Sequence, residues 1–175
     1  IPAEKLMAYT TKWAGKQFGN EHNISIAALI DTYLKYAGRV KPELLSSTTY
    51  SLINYDEFER VTADFKALYL QAKSIEEQLA ADQKVAYYQL VLHPIAALSN
   101  LYDFYLAIAK NTHYAKQGRL STNTYAAKAD SLFKKDATPF LKSSLSLTRA
   151  LICTAISKVF SNDGFISFST GITLC

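Results

Sequence analysis

Cysteine is scarce in this chain. Cys153 and Cys175 are the only two among 175 residues, too few and too far apart for a disulfide framework or a cysteine metal site, which needs clustered ligands. Histidine is nearly as rare. His22, His93 and His113 never stand three or four residues from one another or from a cysteine, so the spacing that holds zinc is missing and no metal ligand is assigned. The basic residues are dispersed, with no run of five, and the net charge of +4 is mild. That pattern gives nucleic acid little to bind. No stretch reaches the roughly 18 consecutive apolar residues that a membrane helix requires, so no membrane partner is expected. The nucleophile elbow, the P-loop and the dinucleotide glycine pattern are all absent, and no cofactor is implied.

Six glycines and four prolines are also few, and most stand where helices should begin or end. Pro2 suits a first helical position, since its missing N–H would be unpaired there in any case. Leu6, Tyr9 and Trp13 then recur at helical spacing as far as Phe18, and Gly19 supplies a left-handed stop. A second helix spans about Ile24 to Ala37, with Ile26, Leu29, Ile30, Tyr33 and Ala37 inward, and Gly38 is expected to end it in the same way. Asn54 and Glu57 have capping-box spacing and start a third helix. Along it Phe58, Val61, Phe65, Leu68, Ala72, Ile75 and Leu79 recur three and four apart, the seam of a bundle.

A fourth helix, about Asp82 to Lys116, carries two apolar stripes side by side. One is Tyr88, Val91, Ile95, Leu98, Tyr102 and Tyr105. The other is Tyr87, Leu90, Ala97, Leu101, Phe104 and Ile108. So wide an apolar arc makes it the central helix. Pro94 lies inside it, removes one hydrogen bond and clashes with the Leu90 carbonyl, which predicts a kink. A fifth helix, about Thr122 to Lys135, turns Tyr125, Ala129, Leu132 and Phe133 inward. Residues 1–140 thus read as an all-α antiparallel bundle of about five helices with a kinked centre. Residues 141–175 form a divergent tail. In it Phe140 to Phe160 reads as a sixth helix, and Phe165 to Leu174 as a strand-like or irregular end.

Chemistry-bearing groups are sparse. Asp56, Glu57 and Glu59 are acidic, but a helix N-terminus attracts acids for its dipole alone, and no pair of carboxylates flanking a cleft can be placed. No catalytic residue is assigned. His93 precedes Pro94 on a core helix and reads as a histidine bonded to a freed backbone carbonyl. Twelve tyrosines suit either half-buried contact surfaces or ordinary bundle filling. Helices two and four run the same way in such a bundle, which brings Arg39 and Lys41, with Glu43 beside them, toward Lys116 and Arg119. Three readings stay open for that cluster: helix-dipole compensation, docking of another domain, or contact with an acidic polymer. The 38–54 connection exceeds the usual ~2–8 residues between bundle helices, and its apolar Leu44, Leu45, Tyr50, Leu52 and Ile53 need cover. Asn23-Ile24-Ser25 is an N-glycosylation acceptor triplet at Asn23.

The run from Arg39 to Val61 resembles a stretch that follows the catalytic barrel in glycoside hydrolase family 115, the xylan α-1,2-glucuronidases. Leu90-Val91-Leu92-His93-Pro94, Asn100-Leu101-Tyr102, Tyr114 to Arg119 and Asn123 strengthen the likeness, which covers about residues 8–140 and stops near Phe140. It implies a non-catalytic helical domain of a larger inverting α-glucuronidase, and the start at Ile1-Pro2, without Met, reads as a cut from something longer. The implied partners are a catalytic (β/α) barrel and a β-sandwich of the parent, a homodimer, and glucuronoxylan through the parent. The implied location is extracellular. No catalytic residue of that family maps onto this chain. The alternative is a free-standing helical-bundle interaction module with no enzymatic activity.

Overall fold

The computed structural model describes residues 2–140, with side chains described for residues 2 and 5–135. The sixth helix and the strand-like end expected beyond Phe140 lie outside the described residues. Within them the fold is all-α. Helices α1 (Ala3–Phe18) and α2 (Asn23–Ala37) form a hairpin, and a connection with one 3-10 turn (Pro42–Leu44) leads to α3 (Glu57–Gln78). Next α4 (Ala81–Tyr87), a π turn (Tyr88–Leu92) and α5 (His93–Lys116) run on as one bent helix, and α6 (Thr122–Phe140) folds back along α5. The five continuous helical runs are those the apolar periodicity predicts.

Gly19 leaves α1 with φ 80°, a conformation that other residues resist. Gly38 differs from the expectation, staying right-handed at φ −71° and donating its N–H to Leu34 O. The α2 end simply tightens by one bond, Arg39 N–H to Tyr36 O at 3.1 Å, so no left-handed residue is needed.

The bend also differs in detail from a plain proline kink. Tyr88–Leu92 wind as a π turn, and the His93 N–H reaches back five residues to Tyr88 O. The wider turn just before Pro94 absorbs an extra residue and rotates the helix before it relative to the helix after it. Tyr87, Val91, Leu92 and Ile95 are therefore buried, whereas Tyr88 and Leu90, expected on the inward stripes, face solvent. The His93 ring packs edge-on against Tyr88 at 5.8 Å. Widening of the backbone, not the histidine side chain, deals with the proline.

On α1, Ala14 and Phe18 are buried while Leu6 and Tyr9 are exposed. The inward strip lies roughly a third of a turn from the Leu6–Tyr9–Trp13 line, because α2 covers only one side of α1. The α3 seam is as predicted, with Phe58, Phe65, Leu68, Ala72 and Leu79 buried.

Two apolar clusters fill the bundle. At the hairpin end Phe18, Ile26, Leu29, Leu68, Ala72, Tyr87 and Ile95 pack together. At the connection end Leu45, Phe58, Phe65, Leu101, Tyr102, Tyr105, Ile108 and Ala129 do the same. Tyr36 meets Phe65 at 5.5 Å and Phe65 meets Tyr102 at 4.3 Å. The α2 end is thus level with Tyr102, and α5 runs on from there to Lys116, about 21 Å at the helical rise. The connection and α6 cover that extra length. Asn100 and Asn111 pin α6 antiparallel to α5 by donating to Leu132 O (3.1 Å) and Thr122 O (2.9 Å).

Candidate functional site

The connection from residue 38 to 56 is half core and half display. Pro42 fixes the backbone for a single 3-10 turn, after which Leu45 enters the connection-end cluster and is buried. Ser46 and Thr49 tie the next corner, the Ser46 N–H donating to Thr49 Oγ1 at 2.8 Å. Tyr50 then packs against Phe58 (5.6 Å) and Tyr102 (6.1 Å). Of the five apolar residues that need cover, Leu45 is buried, Tyr50 and Leu52 are half-buried, and Leu44 and Ile53 stay exposed.

A tight loop follows. Ser51 Oγ accepts from the N–H groups of Ile53 (3.2 Å) and Asn54 (2.9 Å), and the Phe58 N–H donates to Ser51 O at 3.0 Å. Tyr55 (φ 58°) and Asp56 (φ 49°) both adopt left-handed backbone, which costs an L-residue roughly 1–2 kcal/mol. Clamped in this way, the loop holds Ile53 73% and Tyr55 87% exposed. The expected Asn54–Glu57 capping box does not form. Asp56 is the residue that precedes α3 and no side chain caps it. The Glu57 carboxylate reaches further back, accepting from the Ser51 N–H at 3.1 Å. The left-handed pair turns Asn54 away from the free N–H groups, and Glu57 becomes a strut of the loop.

The basic residues do not gather into one cluster. Arg39 donates to Asp64 at 3.0 Å and lies over the Tyr36 ring at 4.1 Å. Arg119 lies over the Tyr114 ring at 4.7 Å, near the far end of α5 and about 18 Å along the axis from Tyr102 at the helical rise. Lys41, Glu43 and Lys116 are exposed. The helices run the same way, but α2 ends at mid-height. Lys110 forms the better-built ion pair, with Glu59. Burial works against its charge, but the neighbouring carboxylate outweighs this and its pKa is raised. Asn23 is the first residue of α2, half-buried, with its amide donating to Asn20 Oδ1 at 3.4 Å. Among the described residues no group of three His, Cys, Asp or Glu is placed to hold a metal, and no helix is long and apolar enough to cross a membrane.

No protein-family model matches the sequence, and no curated protein matches it either.

Ile53 as a displayed residue and Tyr55 altogether escape a reading by periodicity, because both lie outside a helix. The one local signal is the Asn54-Tyr55-Asp56 triplet, in which two residues tolerant of left-handed backbone flank an aromatic.

Proposed function

We propose that the bundle is a non-catalytic helical interaction module whose working surface is the connection between α2 and α3. The observation that supports this reading is the clamped loop. It spends backbone strain to hold Ile53 and Tyr55 in solvent, and strain of that kind concentrates at functional sites. Tyrosine is also a preferred interface anchor, offering a large rigid ring and a polar tip. The test compares the wild-type chain with the Ile53→Ser/Tyr55→Ser chain as baits, with matched circular dichroism spectra. A protein retained by the first and lost from the second supports the reading. Equal retention by both overturns it, as does release of methylglucuronic acid from aldouronic acids by the purified chain.

A second reading places the same bundle in a family 115 xylan α-1,2-glucuronidase. There it would buttress the catalytic barrel, precede a β-sandwich, contribute to a homodimer and meet glucuronoxylan only through the parent, outside the cell. The resembling residues between Arg39 and Asn123 support it. Under this reading the catalytic carboxylates lie in the barrel, and Ile53 and Tyr55 face a domain of the same polypeptide. Sequencing the transcript upstream of the Ile1 codon separates the two readings. A barrel-coding region favours the parent enzyme, and its absence favours the free-standing module.

A further inference from the structure

The outward side of α1 carries an apolar line that the described residues leave exposed at its Leu6–Tyr9 end. Leu6, Tyr9 and Trp13 stand at i, i+3 and i+7, within an arc of about 60° at 3.6 residues per turn. Leu6 is 46% and Tyr9 56% exposed. Trp13 is half-buried, its ring set edge-on to Phe18 at 5.7 Å, so the line is anchored to the core at one end. Along one edge run Lys5, Lys12 and Lys16, all exposed. They occupy the neighbouring arc of about 40°, and none forms an ion pair with a described residue. The spacing i, i+3, i+7 is that of a helix read by an apolar groove.

Deepening the interaction reading above, and resting on it in requiring a partner, we propose that this face of α1 docks into an apolar groove of a second protein whose rim is acidic. The lysine edge selects the occupant. A second copy paired antiparallel through this face would set two lysine rows along the same edge. A lipid surface suits a helix with a wide apolar side, but the other apolar strip of α1, Ala14 and Phe18, is already buried in the bundle. What remains is a narrow seam with one charged border. Carboxylates opposite that border would steer association and fix register.

The chain's single tryptophan lies in the proposed seam and reports on it directly. With p-benzoylphenylalanine in place of Tyr9, photo-cross-linking in the source cells followed by sequencing of the conjugated peptide identifies the occupant. The identified protein is then purified and titrated against the unmodified chain. The expected result is a conjugate to an Asp- or Glu-flanked site, a blue shift of Trp13 emission, and affinity weakened about tenfold or more by Lys5→Glu/Lys12→Glu/Lys16→Glu. Replacing the same lysines with Arg should preserve binding. Ile53→Ser/Tyr55→Ser serves as the control: loss of binding in that chain with the lysine variants unaffected overturns the α1 face alone. Absence of any conjugate, a conjugate to a second copy, or a Trp13 shift produced by phosphatidylserine vesicles instead also overturns it.

Discussion

The connection end of this bundle buries Phe58, Phe65, Tyr102 and Tyr105 and the hairpin end only Phe18 and Tyr87 among aromatics, and the two ends close by different means. At the hairpin end four helical segments meet, and the fully buried Tyr87 donates its hydroxyl to Ala72 O at 3.0 Å. At the connection end an irregular segment supplies Leu45 and Tyr50 to finish the cluster. There the hydroxyls of Tyr50 and Tyr102 are buried beside each other, but neither makes a hydrogen bond of full geometry with a described residue. A helix delivers side chains on a fixed lattice with its backbone already paired. A connection must satisfy its backbone first, and this one does so with Ser46, Thr49, Ser51 and Glu57. Aromatic packing is then gained at the cost of poorly matched hydroxyls. The end closed by a connection is also the one that displays Ile53 and Tyr55.

The largest test of that contrast is Phe65→Ala, which removes the ring joining Tyr36 to Tyr102 and should cost about 3–5 kcal/mol in urea unfolding. Leu45→Ala follows at about 2–5 kcal/mol if the connection is true core. A loss well below 1 kcal/mol would show that the connection merely lies on the bundle. The third test uses alkali. Burial raises Tyr33, Tyr87 and Tyr102 above the ordinary phenol value of 10.0 and pushes Tyr105 up to about 12. The folded state therefore favours the neutral phenols. Their contribution is fully present below pH 10, where the unfolded chain is neutral too, and is lost as pH climbs through the raised values. Calorimetric Tm should hold to about pH 10 and fall beyond it, together with the rise in phenolate absorbance.

The fourth test sets two tyrosines against each other. Tyr87→Phe removes a made hydrogen bond to Ala72 O, a carbonyl that keeps its place in the α3 helix ladder, so it should cost about 1 kcal/mol. Tyr102→Phe removes only a poorly formed contact with the Tyr50 hydroxyl and should cost clearly less than Tyr87→Phe. Equal losses would erase the difference between the two ends. The smallest effect is a gain: Tyr55→Gly relieves left-handed strain and should stabilise the chain by about 0.5–1 kcal/mol. It should also remove a contact residue of the proposed surface.

Much of the fold was legible in the sequence because helices repeat. The α3 seam from Phe58 to Leu79, the wide apolar arc of α5 and the helix ends near Phe18, Ala37 and Lys116 all follow from spacing and from where glycine and proline fall. The connection end was legible only as an anomaly, a connection too long and too apolar to be plain loop. Its apolar content showed that part of the segment must pack on the bundle, and its residues could not show which of them turn inward.

What the sequence determined by itself is the set of helices, the antiparallel order and the irregularity near Pro94, since each depends on residues close in the chain. Only the tertiary structure decided that α2 stops level with Tyr102 while α5 runs on, which keeps Arg39 apart from Arg119. It also decided that a π turn rotates Tyr88 and Leu90 outward, that α2 covers one strip of α1 and leaves Leu6 and Tyr9 bare, and that Glu57 braces Ser51 instead of capping with Asn54. These are matters of relative height and rotation between packed elements. Periodicity gives a helix its face, but the neighbours that arrive decide how much of that face is covered.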